Sequence, residues 1–349
     1  MDLATGPADN TGVHDSSAVR ATHGRIVAAA FRPHPLLRNP HVQTIAAGLL
    51  RLTPPLALRV ERRELPDGDF LDLGWAAPPR AAPNAPLVLM LHGLTGSLDA
   101  KYVRGTARQL MARGWRCVAL QFRGAGPEPN RLPRHYHHGD TEDVRELVLE
   151  LRRREPGTAL YAIGWSLGAN VLLKYLGESG DATPLAGAAA VCAPFELEPC
   201  AERLRTGFSR VYQRAMLKEL NASLARKFAR GATPVDPARA RALRDFFEWD
   251  DHIIAPLHGF ADARDYYARS SCGQFLPRIV KPTLIINAED DPFMNPEIIP
   301  APDRLGPGVT LELSEGGGHN GFIGAGPFGL PEMWLERRIP AYLESLNVS

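Results

Sequence analysis

Short apolar runs alternate with stretches of helical periodicity over most of the chain from residue 87 onward. A run such as Leu87 to Leu91, with no polar interruption, is typical of a strand that helices cover on both faces. The periodic stretches between the runs predict amphipathic helices, one of which closes at Gly114. This alternation predicts the α/β class, with a mostly parallel central sheet and helices on both faces. The predicted strands are 87–91, 116–122, 159–163, 185–191, 283–287 and 309–313, and the predicted helices are 101–113, 140–155 and 331–346.

The residues before this alternation follow a different pattern. Residues 1–25 are polar and rich in Gly, Ser and Asp, so we expect a disordered N-terminal tail before a single domain at 26–349. The prolines within 31–45 favour a folded-back arm over a regular element. Two strand-like runs, 56–64 and 70–75, predict an antiparallel hairpin because typical turn residues separate them.

Between 195 and 280 the alternation of strands and helices stops, and we expect a helical lid inserted into the domain. Apolar residues recur at every fourth position from Leu204 to Phe228, which predicts a helix with a broad apolar face. Gly207 is expected to divide this stretch into two helices. Arginines and lysines occupy much of the remaining surface. They indicate either a solvated face over an ordinary core or a weak peripheral contact of the lid with lipid.

The charge of the chain is almost balanced, with 40 Lys+Arg against 39 Asp+Glu and a formal net charge of +1. Such a balance gives no global field that attracts nucleic acid, so we expect a small or apolar substrate. No apolar run is long enough to span a membrane, and the N-terminal residues lack the basic and apolar regions of an export signal. The four cysteines show no metal-ligand spacing. We therefore expect a cytoplasmic protein, and no pattern predicts its oligomeric state.

A serine between two glycines follows the predicted strand at 159–163. In Gly164-Trp165-Ser166-Leu167-Gly168 the two glycines permit a very tight turn between a strand and a helix. This is the context of a nucleophile elbow, which exposes a serine hydroxyl above the sheet. A serine hydroxyl is a poor nucleophile at neutral pH, so it needs a histidine base and a carboxylate that orients the histidine. We therefore predict Ser166 as the nucleophile and search for its partners.

The base and the acid follow Ser166 along the chain in the order that such a fold requires. His319 lies in a glycine-rich segment between the last predicted strand and the last predicted helix, and it alone of eleven histidines has that placement. Asp291 follows the strand at 283–287, and the carboxyl ends of parallel strands meet at one edge of the sheet. We predict His319 as the base and Asp291 as the acid. Asp290 and Glu196 are alternative acids, and a loop of merely solvated acids is a further alternative.

An acyl-transfer reaction also needs two backbone N–H groups that bind the oxyanion. One is expected from Leu167, directly after the nucleophile at the start of a helix. The other is expected from Leu94, in the loop that follows the strand at 87–91. His92, in the same loop, is expected to shape it by a side-chain hydrogen bond rather than to transfer protons.

Two further patterns give little support to a cofactor. His135, His137 and His138 precede a helix, which lets only some of these side chains point together, and no second set of ligands accompanies them. Arg123-Gly124-Ala125-Gly126 follows a strand but lacks the full glycine pattern of a dinucleotide-binding turn. Arg123 remains a candidate for the rim of the pocket. We predict neither a metal nor a cofactor.

Eight segments between Phe31 and the C-terminus together match the pattern of one family. They are Asn39-Pro40-His41-Val42-Gln43-Thr44-Ile45, His92-Gly93-Leu94-Thr95-Gly96, Phe122-Arg123-Gly124, Gly164-Trp165-Ser166-Leu167-Gly168-Ala169-Asn170, Pro256-Leu257-His258-Gly259-Phe260, Tyr266-Tyr267, Asn287-Ala288-Glu289-Asp290-Asp291-Pro292-Phe293 and Gly317-Gly318-His319-Asn320-Gly321-Phe322. The set resembles the α/β-hydrolase superfamily and, more narrowly, its YheT-like branch, which includes bacterial hydrolases and eukaryotic abhydrolase-domain lipases. The resemblance implies an α/β-hydrolase fold, a triad of Ser166, Asp291 and His319, and hydrolysis of carboxylic esters with lipid or medium-chain acyl groups. Unlike the eukaryotic relatives, the chain shows no N-terminal membrane segment, so we do not carry over their membrane-lipid substrates.

Three functions are compatible with these residues. The leading hypothesis is a serine carboxylesterase that forms an acyl-enzyme on Ser166, takes a small-molecule ester and binds no nucleic acid. The second is an acyltransferase that uses the same triad and passes the acyl group to an alcohol while the lid excludes water. The third is a non-catalytic binding protein that retains the fold. Sequence spacing does not define the acyl-chain length, because fold-level analogy does not identify a substrate.

Overall fold

Residues 22–51, 56–229 and 234–347 are described by the computed structural model, and one large sheet runs through the centre of this part of the chain. The predicted disordered tail at 1–25 lies almost entirely outside the described residues, and the first strand begins at Arg25. The strands of the central sheet are β1 (Arg25–Ala28), β2 (Arg59–Glu64), β3 (Phe70–Ala76), β4 (Leu87–Leu91), β5 (Arg116–Gln121), β6 (Leu160–Trp165), β7 (Gly187–Val191), β8 (Thr283–Ala288) and β9 (Val309–Ser314).

The strands lie in the order β1-β9-β8-β7-β6-β4-β5-β3-β2. All pairings from β1 to β5 along this order are parallel, whereas β5 with β3 and β3 with β2 are antiparallel. The predicted mostly parallel sheet is therefore confirmed, and β2 and β3 form the predicted hairpin. A separate antiparallel pair joins β10 (Ile323–Ala325) to β11 (Pro331–Met333).

Helices flank the sheet and fill the segment between β7 and β8. In the described residues they are α1 (Pro40–Leu50), α2 (Lys101–Ala112), α3 (Glu142–Arg154), α4 (Leu167–Ser179), α5 (Leu197–Leu204), α6 (Ser209–Lys227), α7 (Pro237–Ala240), α8 (Phe246–Trp249), α9 (Ala255–His258), α10 (Ala263–Ser270) and α11 (Trp334–Leu346). A π-helical turn, Asp250–Ile254, connects α8 to α9. No helix in the described ranges is long and apolar enough to cross a membrane.

The direction in which successive strands are added to the sheet reverses around β4. From β4 the chain passes through α2 to β5, and from β5 it passes through α3 to β6, on the opposite side of β4. Crossovers between parallel strands are right-handed, so α2 and α3 cover opposite faces of the sheet. The reversal opens a crevice beyond the carboxyl ends of β4 and β6, which is where ligands bind in open sheets of this kind.

The sheet owes its stability to apolar burial. β4, β6, β7 and β8 are buried along their whole length, which explains why their sequences are continuous apolar runs rather than alternating ones. All four cysteines are buried and form no disulfide. They act as small apolar side chains of the core.

The prediction of an irregular arm over 31–45 is wrong from residue 40 onward, where α1 begins. The Asn39 side chain accepts hydrogen bonds from the backbone N–H groups of His41 and Val42, and Pro40 occupies the first turn. Asparagine is a favoured N-cap, and proline is tolerated at the first helical position because its missing N–H would have no partner there. The proline that indicated an irregular arm is thus part of a helix start.

The segment between β7 and β8 contains helices α5 to α10 in its described part. Gly207, with φ of 51°, separates α5 from α6, as the sequence predicted. A second apolar cluster, which includes Leu204, Leu220 and Trp249, holds these helices together. The helices therefore have a core of their own, which packs above the crevice through side chains such as Leu94 and Phe293.

Candidate active site

Ser166 stands between β6 and α4 with φ of 52° and ψ of −115°. A positive φ is uncommon for a residue with a Cβ atom, and such strain is a known feature of nucleophile elbows. Both neighbouring glycines are required sterically. A Cβ atom on Gly164 would collide with the backbone of Gly168, and one on Gly168 would collide with the backbone of Leu91. The turn thus forms only with this pair of glycines.

The structure brings the three predicted side chains into one chain of contacts. His319 Nε2 lies 2.9 Å from Ser166 Oγ, and His319 Nδ1 lies 2.8 Å from Asp291 Oδ2. The other oxygen of Asp291 accepts a hydrogen bond from the backbone N–H of Phe293 at 2.8 Å. The ring of Phe293 stacks on the His319 ring with 4.0 Å between centroids. The imidazole is therefore held on its edge by a carboxylate and on its face by an aromatic ring.

The two alternative acids have other surroundings. Asp290 Oδ1 accepts a hydrogen bond from the backbone N–H of Gly318 at 2.9 Å, and burial raises the pKa of the Asp290 carboxyl. Asp290 therefore fixes the loop that carries His319 rather than its ring. Glu196 is exposed and directly precedes α5. Of the three acids, only Asp291 reaches the imidazole.

The loop after β4 leaves the backbone N–H of Leu94 available. The N–H groups on either side are taken, since that of Gly93 donates to Tyr102 Oη and that of Thr95 donates to Tyr136 Oη, both at 2.9 Å. Within the described residues, neither Leu94 nor Leu167 donates its backbone N–H to a protein acceptor. Leu94 and Leu167 line the same pocket as Ser166. Both residues that the sequence predicted as donors thus line the pocket and keep a backbone N–H without a protein acceptor.

His92 is buried at the base of the same loop. Its Nδ1 lies 2.8 Å from the carbonyl oxygen of Gly93, and its Nε2 lies 3.1 Å from the side-chain nitrogen of Gln121. Desolvation lowers the pKa of His92 to about 4, so its ring is neutral at physiological pH. These contacts fit the loop-shaping role that the sequence suggested.

The pocket over Ser166 has one wall from the sheet and one from the helical insertion. Its cavity volume of about 80 Å³ is several times the space that one water molecule needs. The insertion contributes a predominantly apolar lining: Leu197, Cys200, Ala201, Leu204, Met216, Leu220, Phe246, Trp249, Asp250, Ile254, Tyr266 and Tyr267. The arrangement suits a ligand with a large apolar portion.

The three histidines at 135–138 form a wall of this pocket. His138 Nδ1 lies 3.0 Å from Tyr266 Oη, whereas His137 Nδ1 accepts the backbone N–H of Gly139 at 3.1 Å. Burial lowers the pKa of His135 and of His138 to about 4. The only described group of three side chains with metal-ligand spacing is Cys192, Asp291 and His319, which overlaps the triad itself. The three histidine rings do not converge on one point and line the pocket as neutral groups.

Arg123 does not lie on the rim of the pocket. Its guanidinium is buried and donates to Asp143, with 2.8 Å between Nε and Oδ2, and to Asp67. It therefore ties the β2–β3 turn to α3. Arg123 is not among the described residues that line the pocket.

Two groups that the sequence reasoning missed support or line the site. The hydroxyl of Thr44 in α1 accepts the backbone N–H of His319 at 2.9 Å, and only the unusual Asn39 to Ile45 motif pointed to this segment. In the insertion, Tyr267 Oη donates to Asp250 Oδ2 at 2.8 Å. Burial raises the pKa of Asp250 to about 8. No local sequence signal marks Asp250, because its environment is built by residues distant in the chain.

The sequence and the fold have clear counterparts among known proteins. Residues 86–325 match the family model described as alpha/beta hydrolase fold. The chain is 45% identical to "Putative esterase YheT" of Escherichia coli (strain K12), over 90% of this chain and 93% of that protein. It is 32% identical to the embryogenesis-associated protein EMB8 of Picea glauca, over 91% of this chain and 72% of that protein. The solved structure of the Pyrococcus furiosus esterase Pf2001 is 17% identical, with a TM-score of 0.52, covering 92% of this chain and 98% of that one.

Proposed function

The chain belongs to the α/β-hydrolase fold family and is a hydrolase of the esterase type, and from that premise we propose that it is a serine esterase with Ser166 as nucleophile. The observation that carries the proposal is the unbroken contact from Ser166 Oγ through the His319 ring to Asp291, at 2.9 Å and 2.8 Å. These are the distances over which a base takes a hydroxyl proton and a carboxylate orients that base.

In the proposed reaction His319 Nε2 takes the proton of the Ser166 hydroxyl as Oγ attacks the ester carbonyl carbon. The backbone N–H groups of Leu94 and Leu167 bind the resulting oxyanion, and each such donor contributes about 3 kcal/mol to the transition state. The imidazolium, held by Asp291, then protonates the leaving alcohol as the carbon–oxygen bond breaks. Water attacks the acyl-enzyme by the same route and releases the acid.

The substrate class follows from the lining of the pocket. The insertion side is largely apolar, and the buried histidines opposite are neutral because desolvation lowers their pKa values. A charged group in this space would lose its hydration with little compensation. We therefore propose neutral small-molecule esters with short- to medium-chain or lipid-like acyl groups.

The same premise gives proposals for the domain organisation and the location of the protein. We propose one hydrolase domain over 26–349, in which the helices between about 195 and 280 act as a lid over the pocket. The lid assignment is supported by α5, α6 and α8, which contribute side chains to the lining. A cytoplasmic location and the absence of a nucleic-acid partner stay predictions from composition.

The proposal is tested by active-site labelling with a fluorophosphonate probe. We expect the native protein and the Ser345→Ala variant, which loses a serine on the far C-terminal helix, to label equally. We expect the Ser166→Ala variant not to label and to lose turnover of p-nitrophenyl esters. Equal labelling of native protein and Ser166→Ala would reject Ser166 as the nucleophile.

Acyl transfer to an alcohol is a second candidate function. The observation in its favour is that side chains of the insertion line the same pocket as Ser166, so that closure of the insertion over a bound acyl group would exclude water. The two reactions share the acyl-enzyme and differ only in the acceptor. Product analysis with p-nitrophenyl octanoate and increasing ethanol separates them: ethyl octanoate as the main product supports transfer, and octanoic acid alone at every ethanol concentration rejects it.

A further inference from the structure

Helix α1 exposes its large apolar side chains and buries small or polar ones. Its buried residues are Gln43, Ala46 and Ala47. Val42, Ile45, Leu49 and Leu50 are exposed, and Leu49 is 70% exposed. This is the reverse of the usual surface helix, in which the apolar face packs on the core. A helix with its apolar side chains in solvent indicates a surface that binds another molecule or a membrane.

Two neighbouring segments extend this exposed apolar surface. Phe208 and Val211 at the start of α6 are each about half exposed, and Phe328 and Leu330 lie exposed in the loop between β10 and β11. Together with α1 and Leu36, these segments hold nine of the twelve exposed large apolar side chains of the described residues. We call this surface, formed by the outward side of α1, the start of α6 and the β10–β11 loop, the entrance face.

Phe328 is the extreme member of the entrance face. It is fully exposed and has φ of 58°, a conformation that costs free energy for a residue with a Cβ atom. No ring contact of the described residues involves it. The loop therefore holds a phenylalanine in water in a strained conformation, without a contact inside the protein that would compensate.

Specific hydrogen bonds join the three segments into one surface. The Gln43 side chain donates to the Ile323 carbonyl at 3.0 Å and accepts the Ile323 N–H at 2.7 Å, which fixes α1 to β10. His34 Nε2 lies 2.9 Å from the carbonyl oxygen of Gly329, next to Phe328. The His41 ring packs on Phe208 with 4.7 Å between centroids, which joins α1 to α6. The entrance face is thus a continuous, fixed surface rather than three independent loops.

The entrance face adjoins the active site. Thr44 in α1 binds the backbone of His319, as described above. On the α6 side, Tyr212 packs on Phe293 with 5.0 Å between ring centroids, and Phe293 stacks on His319. A single layer of side chains therefore separates the exposed apolar surface from the pocket.

The three segments carry only positively charged side chains, although the whole chain is nearly neutral. Residues 16–60, 203–218 and 316–331 contain no Asp or Glu. Arg32, Arg38, Arg210 and Arg214 are exposed in these segments, and none of them takes part in an ion pair among the described residues. Exposed cations around an apolar surface complement a layer of anionic headgroups above hydrocarbon.

We propose that the entrance face docks on an anionic phospholipid bilayer, with the apolar side chains in the acyl boundary and the arginines against the headgroups. The inference goes beyond ester hydrolysis, because docking needs no turnover. It rests on the proposed function only in its consequence, which is that lipid-like esters enter the pocket directly from the bilayer. It also differs from contact through the lid alone, since α1 and the β10–β11 loop supply most of the surface.

Co-sedimentation of the full chain with vesicles tests the proposal. We expect binding to phosphatidylcholine vesicles that contain about 30 mol % phosphatidylglycerol, and much weaker binding to pure phosphatidylcholine, because basic residues contribute most against anionic headgroups. Leu49→Gln with Phe328→Gln should reduce the partition coefficient about tenfold. Arg38→Gln and Arg210→Gln should each reduce it about fivefold and weaken its dependence on salt.

The matched control is Leu149→Gln, which changes an exposed leucine on α3, outside the entrance face, and should leave binding unchanged. All variants should turn over a water-soluble ester as the native protein does, which shows that they are folded. Absence of binding to both vesicle types overturns the proposal, as does equal loss in Leu149→Gln and Leu49→Gln. Concentration-dependent dimerisation that Leu49→Gln abolishes, in the absence of vesicle binding, would instead assign the surface to a second copy of the chain. Because Ser166→Ala can be tested for binding without turnover, failure of docking and failure of the proposed chemistry are separate results.

Discussion

The pocket has one wall formed by the sheet and one formed by the helical insertion. Each wall contains a buried aspartate, and the two aspartates differ in their hydrogen-bond donors. On the sheet wall, Asp291 accepts hydrogen bonds from the His319 ring and from the backbone N–H of Phe293. On the wall formed by the helical insertion, which we call the lid wall after its proposed role, Asp250 has Tyr267 as its hydrogen-bond donor, and burial raises its pKa to about 8. Donors stabilise a carboxylate in an apolar site, whereas burial with few donors favours the neutral acid.

The backbone differs between the two walls as well. Ser166 and the His319 loop come from tight connections at the ends of strands, with positive φ at Ser166 and at Asn320. The lid wall consists of short helices and one π-helical turn that carries Asp250. The sheet wall therefore fixes reacting groups rigidly, and the lid wall shapes the space by side-chain packing. Chemistry should respond to changes in the first wall and substrate range to changes in the second.

The largest effect is expected from Asp291→Asn. An amide in place of the carboxylate favours the wrong tautomer of His319, and kcat should fall by about 10⁴-fold. Asp290→Asn is the matched control, since Asp290 binds the Gly318 backbone rather than the imidazole, and it should retain most of the activity. Steady-state kinetics on p-nitrophenyl butyrate measures both. A larger loss in Asp290→Asn than in Asp291→Asn would exchange their roles.

A smaller effect is expected from Thr44→Val, which removes the acceptor of the His319 N–H without changing the shape of the side chain. The loop that carries the base should shift slightly, and displacements of about 1 Å cost up to about 100-fold in rate. We expect kcat to fall by about tenfold or more with little change in KM. Thr44→Ser keeps the hydroxyl and should restore kcat, and a Thr44→Val variant with native kcat would show that α1 does not position His319.

The lid wall is tested by Met216→Trp, which fills part of the pocket from α6. Long acyl chains should lose about tenfold in kcat/KM, in the range by which pockets discriminate small differences in size, while acetate should be affected little. Arg226→Trp places the same ring on the exposed side of α6, away from both the pocket and the entrance face, and serves as the control. An ester series from acetate to palmitate gives both profiles, and parallel losses at every chain length would argue against a lid that selects acyl chains.

The smallest effect is expected from Asp250→Asn, and it is measured as the pH dependence of stability. The pKa of Asp250 is about 8 in the folded chain against an ordinary value of 3.8, so between these pH values the folded state binds a proton that the unfolded state does not. The stability of the native protein should therefore fall through this residue as pH rises from about 4 to about 8. Asparagine does not titrate, so the Tm of the variant should gain on that of the native protein across this window. Thermal unfolding at about pH 5, 6, 7 and 8, within the window in which the residue is linked to stability, measures the gap, and a gap that stays constant with pH would contradict the assignment.

The sheet was predictable because buried parallel strands have continuous apolar sequences. β4 and β5 agree with their predicted bounds to within one residue, and the order of Ser166, Asp291 and His319 along the chain predicts the three side chains that lie in contact. The glycines of the elbow gave a local steric reason for the position of Ser166. β1 was missed because it is only four residues long and lies at the edge of the sheet.

Other features could not be predicted because they depend on contacts between distant residues. The apolar spacing of Val42, Ile45 and Leu49 is that of an ordinary core-facing helix, and only the packing of Gln43 on Ile323 shows that this face points outward. Likewise, Asp250 is an unremarkable acid in sequence. Its pKa is raised because burial removes its water, although the hydrogen bond from Tyr267 acts in the opposite direction.

The sequence by itself determined the parallel sheet, the tight turn at Ser166 and the chain order of the proposed nucleophile, acid and base, because strand burial and steric limits on a tight turn depend on local residue types. The tertiary structure decided which acid reaches His319, which backbone N–H of the loop after β4 stays free, and which face of α1 meets solvent. Each of these depends on distances of a few ångströms between segments far apart in the chain. Local patterns carry no such distances, because packing sets them only when the chain has folded.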